Sequence, residues 1–189
     1  MTGRIGKRWA TNYTTTSRLP LHFSLGEPNT DYDPSTKSPL SHAAISFVHG
    51  GLAPQYPDLT PFPSKINDLG HSLLRKLQHR SPPPAPHPPN PYPGLPHDAT
   101  PAEHRLYGTD GPLWYRGWAL DPEQKVCSAV DSVLEKTGTR RMIMGHTPNF
   151  EVCFLTRTYH LDDDRHPRRK LFRDVVVKSL SLIRVCCCY

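Results

Sequence analysis

The sequence predicts an α/β domain, and three observations carry that expectation. Two short apolar runs, at residues 43–48 and 141–144, each stop at or beside a Gly-flanked histidine, as buried strands of such a sheet do. Between them lie segments whose apolar residues recur at helical spacing. The chain has 189 residues, enough for one domain with a core and too few for two large ones.

Residues 1–40 show no sustained period of either kind and carry turn formers such as GEPNTDYDPST, so they predict an extended lobe with little core of its own. The run ending in FVHGGLAP predicts a strand buried on both faces, terminating at His49. Ser64 to His79 places Ile66, Leu69, Leu73, Leu74 and Leu77 on one helical face, with Ser64 as a cap candidate behind Pro63. The stretch SPPPAPHPPNPYPGLP follows; proline lacks the amide donor and fixes its own backbone angle, so residues 81–101 predict a Pro-rich insertion loop. A further helix is expected from Asp121, where Asp-Pro-Glu-Gln supplies a cap, a proline at the first helical position and a glutamine three on. Val126, Val130, Val133 and Leu134 make its inner stripe and Gly138 closes it. Arg141 to Met144 then runs into Gly145-His146-Thr147-Pro148, repeating the pattern of the first strand.

Composition narrows the function classes. The 22 prolines are roughly double the usual share of about 5%, which marks much of the chain as loop. The net charge of +6 is uneven: residues 152–189 carry eight Lys/Arg against four Asp, leaving 15 Lys/Arg against 13 acids for residues 1–151. That main body is close to neutral, so no nucleic-acid partner is expected; the tail cluster RHPRRKLFR reads as a solvated basic segment. Five cysteines, three of them consecutive at 186–188, suggest no disulfide framework. No apolar run reaches signal-peptide or membrane-span length, so no membrane partner is expected and the location is intracellular by default.

Two strand ends bearing His beside Gly suggest side chains projecting into one crevice at the edge of a sheet. Imidazole is the commonest side-chain metal ligand, which makes His49 and His146 candidate ligands. From pattern alone a histidine that simply caps a strand is the more frequent arrangement. Between the two lies LYGTDGPLWYRGWAL, dense in aromatics, with Arg116 offering a planar fork of donors that matches phosphate oxygens. Alone, that stretch reads equally as an aromatic cluster with its arginine reaching out to water.

FVHGGLAP, DGPLWYRGWA and MIMGHTPN stand in the order seen in the second half of calcineurin-like metallophosphatases, and their wording resembles the Shewanella-like protein phosphatase branch. The segment GRIGKRWATNYTTTSRLPLHFSLGEPNT also resembles the stretch that this branch carries ahead of its HGG motif, so the resemblance covers roughly residues 3–151. It implies a partial calcineurin-like phosphoesterase fold, half of a β-sandwich flanked by helices, over residues 1–151, followed by a basic tail at 152–189 of unassigned structure. It implies hydrolysis of phosphomonoesters at a dinuclear centre of manganese, iron or zinc, with His49 and His146 as ligands of the same ion and Arg116 on the substrate phosphate. The Asp-x-His, bridging-Asp and Asn-His-Glu motifs of that family's first half are absent from this sequence. No catalytic acid or nucleophile is therefore assigned, and the chain on its own is expected to bind metal weakly and to be inactive. The alternative is a non-catalytic interaction module whose PPPAP and PYPGLP segments dock to SH3- or WW-type domains. The divergent tail fits a truncated or misread coding sequence.

Overall fold

Placement is described for residues 3–36, 38, 40–79 and 95–147 and for the backbone of 155–156 in what is a computed structural model. Its centre is one mixed sheet in the order β1-β2-β3-β4. Strand β1 (Thr16–Pro20) runs antiparallel to β2 (Ala44–Val48), β2 runs parallel to β3 (Arg141–Met144), and a two-residue β4 (Leu155–Thr156) lies antiparallel on the far side. Among the described residues five helices accompany it: α1 (Arg4–Asn12), α2 (Ser64–His79), α3 (Pro101–Tyr107), α4 (Gly117–Leu120) and α5 (Glu123–Thr137). The mixed α/β class is as the sequence predicts. The insertion loop expected at 81–101 lies mostly outside the described residues, as does the basic tail apart from the backbone of β4.

One face of the sheet meets the helices. Val48, Met142 and Met144 form a single core with Ile66 and Leu73 of α2, Trp118 of α4, and Val126, Val130, Val133 and Leu134 of α5. The other face is open among the described residues: Phe47 is 36% and Leu19 37% exposed, and Ile45 and Ile143 on the same side are only half-buried. This corrects the expectation that β2 is buried on both faces. Its continuous apolar run is the signature of two-sided burial, yet only one side has a cover among the described residues.

The N-terminal forty residues are more ordered than their patterning predicts, since they contain α1, β1 and a 3-10 turn at Phe23–Leu25. Strand β1 escapes a hydropathy reading because its inward positions are polar: Thr16 and Arg18 are buried while Leu19 points outward. Helix α3 follows the predicted loop, sharing only Pro101 with it, and the sequence reading assigns no helix there. Thr100 accepts from the Glu103 amide and Glu103 returns a carboxylate to the Thr100 amide, a reciprocal cap with Pro101 at the first helical position. Helix α5 begins at Glu123, one residue after the expected first position Pro122, because Asp121 instead closes α4 and pairs with Lys125 at 2.8 Å. Its predicted left-handed stop at Gly138 is present. Helix α2 has the predicted bounds, but the cap comes from afar: the Ser64 amide donates to Asp31 Oδ1 at 2.8 Å. Cys127, on α5, is disulfide-bonded, which the cysteine spacing does not foretell.

The free edge of β1 is closed by two asparagines acting as stand-in strand backbone. Asn67 takes the Thr16 amide on Oδ1 and donates Nδ2 to the Thr16 carbonyl, both at 3.0 Å. Asn29 takes the Arg18 amide on Oδ1 at 3.0 Å and gives its own amide to the Arg18 carbonyl at 2.8 Å. An edge so satisfied offers no template for another strand. Asn67 is buried, so Asn67→Leu leaves an amide and a carbonyl unpaired in the interior and is expected to lower stability by about 2 kcal/mol, read as a shift in urea midpoint without a change in slope.

Candidate functional site

The parallel pairing of β2 with β3 sets the site. Val48 stands opposite Met144, so the two chains leave the sheet side by side, and the Gly145 amide extends the ladder one step by donating to the His49 carbonyl at 2.9 Å. The two histidines of the sequence pattern therefore meet. His146 Nδ1 lies 3.0 Å from His49 Nε2, with ring centroids 4.9 Å apart at 62°. His146 reaches this position from the left-handed region at φ 63°, which for a residue other than glycine carries backbone strain.

The aromatic stretch 106–120 is the third wall. Trp114 presents itself edge-on to His146, centroids 4.9 Å apart at 87°, and Arg116 Nη1 lies 3.5 Å from Thr147 Oγ1. Arg116 is exposed and lines a cleft of about 470 Å³, whose walls also include Gln55, Asp110, Trp114, Tyr115 and Lys125 but neither histidine. All three predicted site residues, His49, Arg116 and His146, thus lie at one edge of the sheet. Trp114 and Thr147 belong with them, although the sequence marks Trp114 only as one member of an aromatic cluster.

The glycines of FVHGGLAP have a different task from the one their place beside His49 suggests. They do not leave space for a ligand; the chain itself fills it. A Cβ on Gly50 would lie 2.8 Å from Leu113 C and Trp114 N, and the Gly50 amide donates to the Pro112 carbonyl at 2.7 Å. Gly51, at φ 150°, has the Trp118 ring where a side chain would stand. Trp118 is buried and its indole N–H donates to the Leu52 carbonyl at 2.9 Å. The HGG turn and the GPLW segment are clamped backbone to backbone, and that clamp holds Trp114 over His146.

The electrostatics favour a neutral imidazole at His146. Burial, then Arg116, then His49 push its pKa below the usual value, and its Nε2 is buried without a hydrogen-bond partner among the described residues. Neutral imidazole is the form that offers a lone pair to a metal or a proton donor. The geometry passes one test of metal fit. Two nitrogens about 2.1 Å from a common cation stand about 3 Å apart at the right angle of a six-coordinate ion and about 3.4 Å apart at the tetrahedral angle of zinc; the pair here is 3.0 Å apart, which suits the six-coordinate case. Hydrogen bonding and ligation are thus alternatives for the same two nitrogens. The set is incomplete, since no group of three or more His, Cys, Asp or Glu able to hold a metal occurs among the described residues.

No family model matches the chain, and no solved structure matches it. It is 30% identical over 128 residues to an uncharacterized protein of Schizosaccharomyces pombe, a match covering 67% of this chain and 30% of that protein. The matched region thus spans less than a third of the length of that curated relative. No helix among the described residues is long and apolar enough to cross a membrane.

Proposed function

We propose that this chain carries the histidine-bearing half of a metal-dependent phosphoesterase acting on phosphomonoesters, with a partial calcineurin-like fold. The observation that carries the proposal is the meeting of His49 and His146 at the ends of two parallel neighbouring strands, at a spacing suited to one cation and with Arg116 alongside. The open apolar face of the sheet supports the half-sandwich reading, because β2 has the composition of a strand covered on both sides. When bound, paired manganese, iron or zinc ions supply an activated water and neutralise phosphate oxygens. The residues of this chain hold and orient: His49 and His146 ligate one ion, Trp114 fixes the His146 ring, and Arg116 meets the phosphate.

Two imidazoles do not make a tight site, and no carboxylate completes them among the described residues. The expected result for the purified chain is weak, saturable manganese or zinc binding by calorimetry, abolished by His49→Ala and by His146→Ala separately, with no turnover of an aryl phosphate. Binding that survives either substitution removes the metal-site reading. Clear manganese-dependent turnover overturns the expected inactivity of this chain alone. The interaction-module alternative rests on proline segments outside the described residues, and no structural observation favours it.

A further inference from the structure

Helix α1 carries a surface that the phosphoesterase reading leaves unused. Its inner side, with Ala10 buried and Gly6 half-buried, lies against α2, where Gln78 Nε2 donates to the Gly6 carbonyl at 3.0 Å. Its outer side presents Ile5, 87% exposed, and Trp9, 42% exposed, one turn apart. Arg4 and Arg8 form a neighbouring row at the same spacing, Lys7 lies beyond them on the side away from Ile5 and Trp9, all three are exposed, and the helix contains no acid. The Trp9 ring is held against Tyr13 with centroids 5.0 Å apart. Arg75 extends the positive surface: it is exposed on the α2 stripe between His71, which meets the Tyr13 carbonyl at 2.6 Å, and Gln78. Asp68 stands two turns before Arg75 on the same helix. Among the described residues none of these four cations forms an ion pair.

From these placements we infer that α1 docks on an anionic lipid bilayer, with Ile5 and Trp9 entering the headgroup layer, Arg4 and Arg8 lying on lipid phosphates, and Lys7 adding longer-range attraction to the anionic surface. A short helix with apolar side chains set among cations is the composition of an interfacial segment, and an aromatic pair at the rim suits the boundary between headgroup and acyl chain. A nucleic acid would use the cations but has no place for an almost fully exposed isoleucine. A helix-binding protein groove reads apolar anchors on successive turns, and the next positions after Ile5 and Trp9 are Asn12, which is polar, and Tyr13, which lies beyond the helix, is half-buried and has its carbonyl bound by His71. No helix among the described residues is long and apolar enough to cross a membrane; contact with a surface is a separate property, and it is here proposed against the sequence expectation of no membrane partner.

The test is co-sedimentation of the full chain with vesicles of phosphatidylcholine alone and of phosphatidylcholine mixed with phosphatidylserine. Binding is expected only to the mixed vesicles. Replacing Arg4, Lys7 and Arg8 together by Gln is expected to weaken it about a hundredfold, at roughly fivefold per charge. Ile5→Ser, at a position exposed enough to leave the fold intact by circular dichroism, is expected to weaken it too and to reduce quenching of tryptophan by brominated acyl chains. No binding, equal binding to neutral vesicles, or indifference to Ile5→Ser overturns the proposal. So does complete displacement by duplex DNA at equal phosphate concentration.

Discussion

Arg18→Met is expected to cost about 3 kcal/mol of stability, visible as a large drop in urea midpoint. Arg18 is buried in β1, and its guanidinium faces carbonyls rather than a carboxylate. Nη2 donates to Gly138 O and Ser41 O, each at 2.9 Å, and Nε reaches Thr137 O and Gly138 O at 3.3 Å. Two of these carbonyls end α5, where the helix leaves acceptors unpaired and a cation is favoured. One side chain therefore ties the edge strand, the segment before β2 and the helix that backs the sheet. Burial lowers the arginine's pKa, but a guanidinium stays charged at any pH where a protein folds, so the bonds persist and their loss is felt in full. Methionine fills the volume and satisfies none of the three oxygens. Arg18→Lys is expected to fall between, since a single ammonium cannot reproduce the planar fork. A loss below about 1 kcal/mol for Arg18→Met would mean that the cost of burying the charge had cancelled its bonds.

The residues legible in the sequence are those whose role is local. Ser64 to His79 is read correctly because its stripe repeats within one helix, and the ends of β2 and β3 because an apolar run stopping at His-Gly is visible without a partner. What escapes is what depends on residues distant in the chain. Asp31 caps Ser64 across 33 positions, Asn67 completes Thr16 across 51, and Arg18 reaches Gly138 across 120. No propensity or period connects such pairs. Strand β1 is hidden for the related reason that its buried positions hold the very polar groups that make those connections. The site divides in the same way. His49, His146 and Arg116 are marked by type and context, whereas the purpose of Gly50 is set by the backbone of Pro112–Trp114, some sixty residues further on. By contrast, the reciprocal cap of Thr100 and Glu103 was visible in sequence, and the preceding prolines obscured it.

Glu103 gives the fold an acid limb, and the same carboxylate bears on the site. It is 1% exposed, and burial by itself would raise its pKa. Lys76 Nζ and Ser72 Oγ, each at 2.6 Å, and the Thr100 amide at 2.7 Å outweigh that and hold it down to about 2, against an ordinary value of 4.5. Since the folded pKa is the lower one, this stabilisation is complete above pH 4.5 and is lost as the pH falls from there towards 2. Its full size is on the order of 3 kcal/mol, so unfolding should show a steep acid limb in that window, and Glu103→Gln should flatten the limb while lowering stability at neutral pH by about 2 kcal/mol. An unchanged acid limb in Glu103→Gln would place the titrating group elsewhere. The network joins α2 to α3, and α3 leads directly into the turn at Gly108–Gly111 from which Pro112 meets Gly50. Loosening α3 at low pH should therefore free the GPLW segment before the sheet itself melts. Near-ultraviolet circular dichroism of the tryptophans is then expected to change at a higher pH than the far-ultraviolet signal, and coincident transitions would show that clamp and sheet unfold as one unit.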